Sequence, residues 1–274
     1  VMTVYFALGI GVNVGRSYYD KHQSYIPDYQ KLGWHTDICN NGEQYDCTKG
    51  DRNKLVTVLA VGDSHTAHYN SFYDIVGKHE GWSAHVISTS SCPFLYDSSV
   101  VQAVNVNSKL YRSCLEMRHQ IQKDLNNYQT IILAGRWYSY LDNDGIFIVE
   151  FEKTIQALLK QNKIIYVVAD NPNAGFNVLR DYYLKSIGVN IDRTVQQQKF
   201  QQENRLGNQS IYQVVRKYPQ VKWIDFTNLI PLNFMIDNQP IYVDQHHFNI
   251  YGSEQMGKRF ISSHRRLLEV APNK

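Results

Sequence analysis

Residues 55–62, LVTVLAVG, decide the fold, and Asp63, Ser64 and His65 follow them directly. The stretch is a short, continuous apolar run that is rich in β-branched residues and ends in glycine. Such a run is typical of a strand buried on both faces of a parallel sheet. The next residues carry apolar side chains at helical spacing and stop at Gly81, as a helix does. A strand followed at once by a helix predicts a βαβ unit.

The same alternation continues along the rest of the chain. Further strands are predicted at residues 83–89, 130–135, 163–170 and 221–226. Helices are predicted at residues 65–81, 115–125, 149–161, 211–218 and 250–268, and a Gln-rich surface helix or loop at 195–209. The pattern predicts an α/β fold, a three-layer doubly wound parallel sheet with helices on both faces. Ligands of such sheets bind beyond the carboxyl ends of the strands.

Composition narrows the possible functions. The chain has 274 residues, of which 43% are hydrophobic, which is enough for one large domain or two small ones. Its net charge of only +3 gives no reason to expect nucleic acid or an anionic membrane surface as the main partner. There is no P-loop and no GxGxxG, so we expect no nucleotide cofactor.

The first 53 residues differ in pattern from the remainder of the chain. Residues 1–15 are uncharged and mostly apolar, but no apolar run reaches the ~18–20 residues of a bilayer span. We interpret residues 1–15 as the cut end of a membrane helix or as a core strand, in a fragment of a longer protein. Residues 18–53 show little periodicity and are predicted to be an irregular lead-in.

The four cysteines, Cys39, Cys47, Cys92 and Cys114, allow three pairings. They form no CxxC pair and no histidines stand at zinc-finger spacing, so no structural metal is expected. Their spacing favours Cys39–Cys47 and Cys92–Cys114, and each bond would stabilise the fold by about 2–4 kcal/mol. Disulfides would imply an oxidising compartment. Four unpaired thiols in a cytosolic protein are the alternative.

Ser64 is the first candidate for chemistry. It follows a buried strand and opens a helix, where unpaired N–H groups and a positive partial charge are available. That is a suitable place for an acyl-transfer nucleophile, beside donors that can hold an oxyanion. The alternative is that Asp63 and Ser64 only cap the helix.

The second candidate is Asp244-Gln245-His246-His247, just before the last helix. Asp244 can fold back to accept the Nδ1–H of His247, which leaves Nε2 free to take the serine proton. The alternative is a polar loop, and His246 is a rival to His247. Ser64, Asp244 and His247 together predict a catalytic triad.

These motifs resemble a known family. Gly62-Asp63-Ser64 near the start of an α/β domain, with Asp-x-x-His near its end, resembles the SGNH (GDSL-type) hydrolase and acyltransferase superfamily. The segments VLAVGDSHTAH, SSCPF, LAGRW and YVDQHHFNIYG are similar to blocks of a narrower group. That group is the extracytoplasmic SGNH domain fused to membrane acyltransferase-three proteins, which O-acetylate bacterial surface polysaccharides. Asn249 replaces a serine of its last block and is expected to cap the final helix.

The resemblance implies both a location and an activity. It implies a flavodoxin-like SGNH fold with the two disulfides named above, on the periplasmic side of the inner membrane. Residues 1–53 would be a membrane-proximal lead-in, and residues 54–274 the SGNH domain. An upstream membrane domain would deliver acetyl, and Ser64, Asp244 and His247 would transfer it to an O-antigen-like polysaccharide without metal or cofactor.

Two positions depart from the family pattern. Ser91 stands where the family often has glycine, and Arg136-Trp137 stands where the wider superfamily has an asparagine block. We therefore expect the oxyanion donors to be the backbone N–H of Ser64, an N–H near Ser91, and the Arg136 side chain. The alternative for Arg136 is a structural role, stacked on tryptophan or paired with a carboxylate.

Two other functions stay open. The same triad would make a stand-alone SGNH esterase if water were the acceptor. A degenerate site would leave a non-catalytic glycan-binding or scaffolding module.

Overall fold

Strands and helices alternate through the computed structural model, which describes residues 29–35, 39–40, 47–101 and 105–269. The strands are β1 (Cys39–Asn40), β2 (Thr48–Gly50), β3 (Val56–Gly62), β4 (Ser83–Ser88), β5 (Thr130–Ala134), β6 (Ile164–Val168), β7 (Lys222–Ile224), β8 (Met235–Ile236) and β9 (Gln239–Pro240). The helices are α1 (Ser64–Ala67), α2 (Asn70–Glu80), α3 (Lys109–Asp124), α4 (Ile146–Lys160), α5 (Val178–Ser186), α6 (Thr194–Val215) and α7 (Ile250–Ser262). Short 3-10 turns lie at Tyr29–Leu32, Leu125–Asn127, Trp137–Tyr140 and Thr227–Leu229.

The main sheet follows the order β1-β4-β3-β5-β6-β7, and β2 pairs with β4 from outside this path. The β2–β4 pair is antiparallel, and the other pairs of this sheet are parallel. The order β4-β3-β5-β6-β7 is the 2-1-3-4-5 order of the flavodoxin-like fold. The predicted doubly wound α/β sheet is thus confirmed, with one antiparallel addition from the region predicted to be irregular.

Helices cover both faces of the sheet, as the unbroken apolar run of β3 requires. Val58 and Ala60 enter a core shared with α2 and α7, whereas Leu59 and Val61 enter a core shared with α3, α4 and α6. Two cores on opposite faces of one sheet give the three layers that the sequence predicts.

Several helices differ in extent from their predictions. The segment predicted as one helix at 65–81 is two helices, α1 and α2, and the second ends at Gly81 with φ 78°. The Gln-rich stretch and the helix predicted at 211–218 form one helix, α6. The last helix ends at Ser262. Neither α5 nor the β8–β9 hairpin was predicted from the sequence.

The chain divides into two compact units, Val1–Lys31 and Leu32–Lys274. The second unit therefore includes residues 32–53 of the predicted lead-in. The assignment of residues 1–53 and 54–274 to separate domains stays a prediction, and the apolar start at 1–15 lies outside the described residues. Among the helices of the described part, none is long and apolar enough to cross a bilayer.

A disulfide joins Cys92 to Cys114, which is one of the two pairs favoured by the spacing. Cys47 is also disulfide-bonded. The side chain of Cys39 lies outside the described residues, so the Cys39–Cys47 pairing stays a prediction.

Candidate active site

Ser64 begins α1 directly after β3, and the residue before it caps the helix. Asp63 has extended backbone angles, and its Oδ1 accepts the N–H of His65 at 2.7 Å. The capping role that the sequence left open between the two residues therefore belongs to Asp63. The Ser64 hydroxyl makes a different contact.

Gly62 allows β3 to lie close to β5 at the point where Ser64 follows. A Cβ atom at this position would lie 1.9 Å from the carbonyl oxygen of Ala134 and 2.6 Å from Thr66 Oγ1. The Thr66 hydroxyl donates a hydrogen bond to the same carbonyl at 3.1 Å. The close approach of a neighbouring strand therefore explains the glycine at this position.

Asp244 and His247 lie in a short loop that is closed by backbone hydrogen bonds. Tyr242 and Phe248 form an antiparallel bridge, and the Val243 N–H donates to His247 O at 3.0 Å. Asp244 Oδ1 accepts the N–H groups of residues 246 and 247, each at 2.9 Å. The aspartate thus folds the loop back so that its second oxygen faces the His247 ring.

The loop is fixed to the last helix by Asn249, whose side chain caps α7. Asn249 Oδ1 accepts the Gly252 N–H at 2.7 Å, and its Nδ2 donates to Pro240 O at 2.8 Å. The predicted cap is therefore present. It holds the end of the loop against the start of the helix.

Ser64, His247 and Asp244 form one hydrogen-bonded chain. Ser64 Oγ lies 2.8 Å from His247 Nε2, and His247 Nδ1 lies 2.7 Å from Asp244 Oδ2. The structure thus brings together all three residues that the sequence predicts as a triad. The rings of Trp34 and His247 make a T-shaped contact with a centroid distance of 5.0 Å.

Burial and hydrogen bonding determine the charge states of His247 and Asp244. Burial lowers the pKa of His247, although its hydrogen bond to Asp244 opposes this shift, so the imidazole is neutral near neutral pH. Burial alone would raise the pKa of Asp244, but its hydrogen bond and the charge of His247 outweigh burial and lower the pKa. A neutral imidazole oriented by a carboxylate is suited to take a proton from Ser64.

Arg136 is one of the three predicted oxyanion donors. The Arg136 backbone N–H donates to Asp63 Oδ2 at 2.9 Å, and the Tyr140 hydroxyl donates to the same oxygen. No hydrogen bond joins the Arg136 guanidinium to another described residue. Among those residues it neither stacks on a tryptophan nor pairs with a carboxylate, which were the two structural roles considered for it. Its use as an oxyanion donor stays a prediction.

Ser91 lies in the loop that follows β4 and is exposed. Its φ of 54° is in the left-handed region that glycine adopts most readily. The Thr89 N–H donates to Gly62 O at 3.1 Å, which holds this loop near the strand end that carries Ser64. The oxyanion roles of Ser64 and Ser91 stay predictions.

A second hydrogen-bonded chain of side chains, Asp170–His65–His246, lies beside the first. His65 Nδ1 is 2.5 Å from Asp170 Oδ1, and His65 Nε2 is 2.8 Å from His246 Nδ1. Neither Asp170 nor His65 was predicted from the sequence as a site residue. The separation of 105 residues between them hides this pair from any local motif.

Three histidines of the site, His65, His246 and His247, could hold a metal ion, since one ligand atom from each lies within 4.8 Å of the others. Each of these rings already has a hydrogen-bond partner in the two chains described above. The expectation that the site works without metal stays a prediction.

The comparisons with known proteins show the fold and the family of the chain. Residues 32–262 match the model of the family described as "SGNH domain (fused to AT3 domains)". The periplasmic domain of a lipopolysaccharide acetyltransferase from Salmonella ser. Paratyphi A has a similar structure, with a TM-score of 0.53 and 14% identity over 77% of this chain and 85% of that one. No curated protein matches the chain in sequence.

A second similar structure is the C-terminal catalytic domain of peptidoglycan O-acetyltransferase A from Streptococcus pneumoniae, with a methylsulfonyl adduct. Its TM-score is 0.42, with 13% identity over 76% of this chain and 92% of that one. Because the family match covers most of the chain, from residue 32 to residue 262, the chain belongs to the family of SGNH domains fused to AT3 domains.

Proposed function

We propose that this chain is the periplasmic acetyl-transferring domain of a surface-polysaccharide O-acetyltransferase, with Ser64 as nucleophile, His247 as base and Asp244 as the residue that orients the base. One observation carries the proposal. It is the unbroken hydrogen-bonded chain from Asp244 through His247 to Ser64, at the carboxyl end of β3. Ligands of this fold bind at that edge of the sheet.

The first half of the reaction forms an acetyl-enzyme. Ser64 Oγ attacks the carbonyl carbon of the acetyl donor while its proton passes to His247 Nε2. Asp244 stabilises the imidazolium that forms. The tetrahedral intermediate then expels the leaving group, which takes the proton back from His247, and acetyl-Ser64 remains.

The second half transfers the acetyl group. A hydroxyl of the glycan gives its proton to His247 Nε2 and attacks the carbonyl carbon of acetyl-Ser64. Ser64 Oγ leaves and recovers the proton, so the triad returns to its starting state. Water in place of the glycan would give the esterase reaction by the same steps.

The donor and the acceptor are inferred from the family rather than from the described side chains. Fusion to AT3 domains supports an integral-membrane partner that supplies acetyl to this domain and tethers it to the inner membrane. The similar Salmonella domain is a periplasmic part of a lipopolysaccharide acetyltransferase, which supports a periplasmic location and an O-antigen-like acceptor.

Intact mass spectrometry after exposure to a chromogenic acetyl ester tests the nucleophile. We expect one acetyl group on the wild-type chain, none on Ser64→Ala, and one on the control Ser210→Ala, which removes a hydroxyl on α6. An adduct that persists in Ser64→Ala would overturn the assignment of Ser64.

Adding a glycan acceptor separates the possible reactions. Transfer predicts acetylated glycan at the expense of free acetate, whereas an esterase releases acetate at the same rate with or without glycan. No turnover, together with unchanged glycan acetylation in a Ser64→Ala strain, would leave the non-catalytic glycan-binding module.

A further inference from the structure

His65 is a buried titratable residue that the proposed mechanism does not use. Only 2% of its surface is exposed, and both of its ring nitrogens are hydrogen-bonded. Its partners come from two distant parts of the chain, since Asp170 follows β6 and His246 precedes α7. A histidine so completely enclosed between two polar partners needs a physical explanation.

The partners determine where the protons of this second chain lie. Asp170 can only accept as a carboxylate, so His65 Nδ1 carries a proton and donates it. Burial opposes a charge on His65, but the carboxylates of Asp170 and Asp63 outweigh burial and raise its pKa. When His65 is an imidazolium, it donates its Nε2–H to His246 Nδ1, and His246 is then the neutral tautomer with its proton on Nε2.

The proton that gives this positive charge does not reside on His246. Burial, followed by repulsion from His65 and His247, lowers the pKa of His246 far below its ordinary value. The positive charge of the second chain therefore resides on His65, next to the carboxylate of Asp170.

We propose that Asp170, His65 and His246 form a second hydrogen-bonded chain that places a positive charge on His65, beside the Ser64–His247 pair, with His65 as a positioning residue for the base. The proposal rests on the proposed function only for its kinetic consequence. The centre of the His65 ring lies 4.9 Å from that of His247 and 4.9 Å from that of His246. The rings of His246 and His247 are 4.1 Å apart.

A charge at this distance has a definite effect. It disfavours a second positive charge on His247, so this base stays unprotonated at a more acidic pH than it otherwise would. Several other groups also act on His247 and would remain in place when His65 is changed. The ionisable groups around this cluster are Asp244 and His246 on the same loop, Asp63, His65 and His68 around α1, Arg136 after β5, Asp170 after β6, and His35 before β1.

The second chain also fastens the loop of the base to the sheet. Asn171 Nδ2 donates to the backbone carbonyl of His246 at 3.2 Å, next to the contact made by His65. Two effects of His65 must therefore be separated, the charge that it carries and the anchor that it provides.

Two neutral replacements of His65 make that separation. In His65→Asn the amide takes the place of Nδ1, so it can donate to Asp170 but cannot reach His246. In His65→Gln the amide takes the place of Nε2, so it can donate to His246 but cannot reach Asp170. Both variants lose the charge, and each keeps one of the two hydrogen bonds.

NMR titration of the chain with ¹⁵N-labelled histidine is the primary test, because it does not depend on turnover. In the wild type we expect both His65 nitrogens to be protonated at neutral pH and His246 Nδ1 to be unprotonated. In both variants the titration midpoint of His247 should rise by about one pH unit. His119→Gln, which changes an exposed histidine on α3, should leave that midpoint unchanged.

Three results would overturn the proposal. These are an unchanged His247 midpoint in both variants, a shift in His65→Asn alone (which indicates an anchor without a charge), and a His65 that titrates as a neutral ring at neutral pH. The acid limb of kcat/KM for ester hydrolysis should move together with the NMR midpoint. If the wild type hydrolyses no ester, the proposed function fails while the NMR titration still decides the status of His65.

Discussion

Asp244 holds His247 with one carboxylate oxygen, 2.7 Å from Nδ1, and folds its own loop with the other oxygen. The two tasks can be separated by a single substitution. In Asp244→Asn the amide oxygen can keep the backbone hydrogen bonds. Its NH₂ group then faces Nδ1 of His247 as a donor, which favours the tautomer with the proton on Nε2.

That tautomer cannot accept the Ser64 proton. We therefore expect Asp244→Asn to fold normally and to lose about 10³–10⁴-fold in kcat for hydrolysis of an acetyl ester. Asp192→Asn, which changes an exposed aspartate far along the chain from the loop, is the control and should keep wild-type activity. A kcat for Asp244→Asn within tenfold of the wild type would contradict the role given to Asp244 (about 1.4 kcal/mol at most).

Gly62→Ala tests the close approach of β3 and β5. The new methyl group would lie 1.9 Å from a backbone carbonyl, which cannot move without separating the two strands. We expect the free energy of unfolding to fall by about 3 kcal/mol or more, the upper part of the range for overpacking. Urea denaturation followed by circular dichroism measures the change.

Gly257→Ala provides a matched control for this substitution. Its added methyl group would lie 3.2 Å from Cβ and Cγ2 of Ile75 and 3.5 Å from Cα of Phe72, which is crowded but far less close than the contact at Gly62. Since Gly257 lies inside α7, the higher helix propensity of alanine offsets part of the crowding. Equal urea midpoints for the two variants would show that the strand contact does not explain Gly62.

Strands β3, β5 and β6 could be predicted from the sequence because they are nearly continuous apolar runs, whereas β1 and β2 lie in a stretch without such a run. β3 begins one residue later than predicted and ends at the predicted glycine. α6 was harder, since its buried face includes Asn204 and Gly207 in place of two apolar residues. Gly207 fits there because a Cβ atom would lie 2.5 Å from the backbone of Tyr138. A contact with a distant turn therefore breaks the apolar pattern of the helix.

The residues of the site also differ in whether a local sequence pattern could predict them. Ser64, Asp244 and His247 stand in short motifs whose spacing reflects local geometry, so the sequence could nominate them. His65 follows Ser64 directly, but its contacts with Asp170 and His246, like the contact of Trp34 with His247, span long separations that no local spacing records. The roles of Ser91 and Arg136 depend on the direction of single N–H groups, which sequence patterns do not encode.

The Cys92–Cys114 disulfide should stabilise the fold substantially. Both cysteines are fully buried, and the bond closes a separation of 22 residues between the loop after β4 and α3. We expect the double variant Cys92→Ala/Cys114→Ala to lose about 3 kcal/mol in the free energy of unfolding.

The double variant should still fold, since Arg118 holds the same loop from α3. Its guanidinium donates to the carbonyl of Pro93 at 3.2 and 2.8 Å, and to those of Ser98 and Val100 at 3.0 and 2.7 Å. Urea denaturation of both proteins under oxidising conditions measures the difference. A loss below about 1 kcal/mol would mean that Arg118 alone determines the position of this loop.

His68 should make the fold sensitive to acid. The residue is fully buried, and neither ring nitrogen has a hydrogen-bond partner among the described residues. Burial, followed by repulsion from neighbouring imidazoles such as His65, lowers its pKa well below the ordinary 6.5. The folded chain therefore leaves His68 neutral at a pH where the unfolded chain protonates it.

Stability must then fall as the pH drops through 6.5, and for each such residue the slope approaches about 1.4 kcal/mol per pH unit at a pH well below 6.5. His65 acts in the opposite sense, because its raised pKa contributes stability that is present below the unfolded pKa and is lost as the pH rises through the folded one.

His68→Phe keeps an aromatic ring against Tyr69 and Phe248 and removes the titrating group. Comparing the variant with the wild type cancels the contributions of the other histidines.

We expect the wild type to lose about 1 kcal/mol more than His68→Phe in the free energy of unfolding between pH 6.5 and 5.5, because the unfolded histidine is only half protonated at pH 6.5. Urea denaturation at the two pH values measures this difference, and His119→Phe, at an exposed position on α3, should behave as the wild type does. If His68→Phe loses as much stability over this range as the wild type, then His68 takes up a proton in the folded chain. In that case the histidine cluster around Ser64 would carry more positive charge than the lowered pKa of His68 predicts.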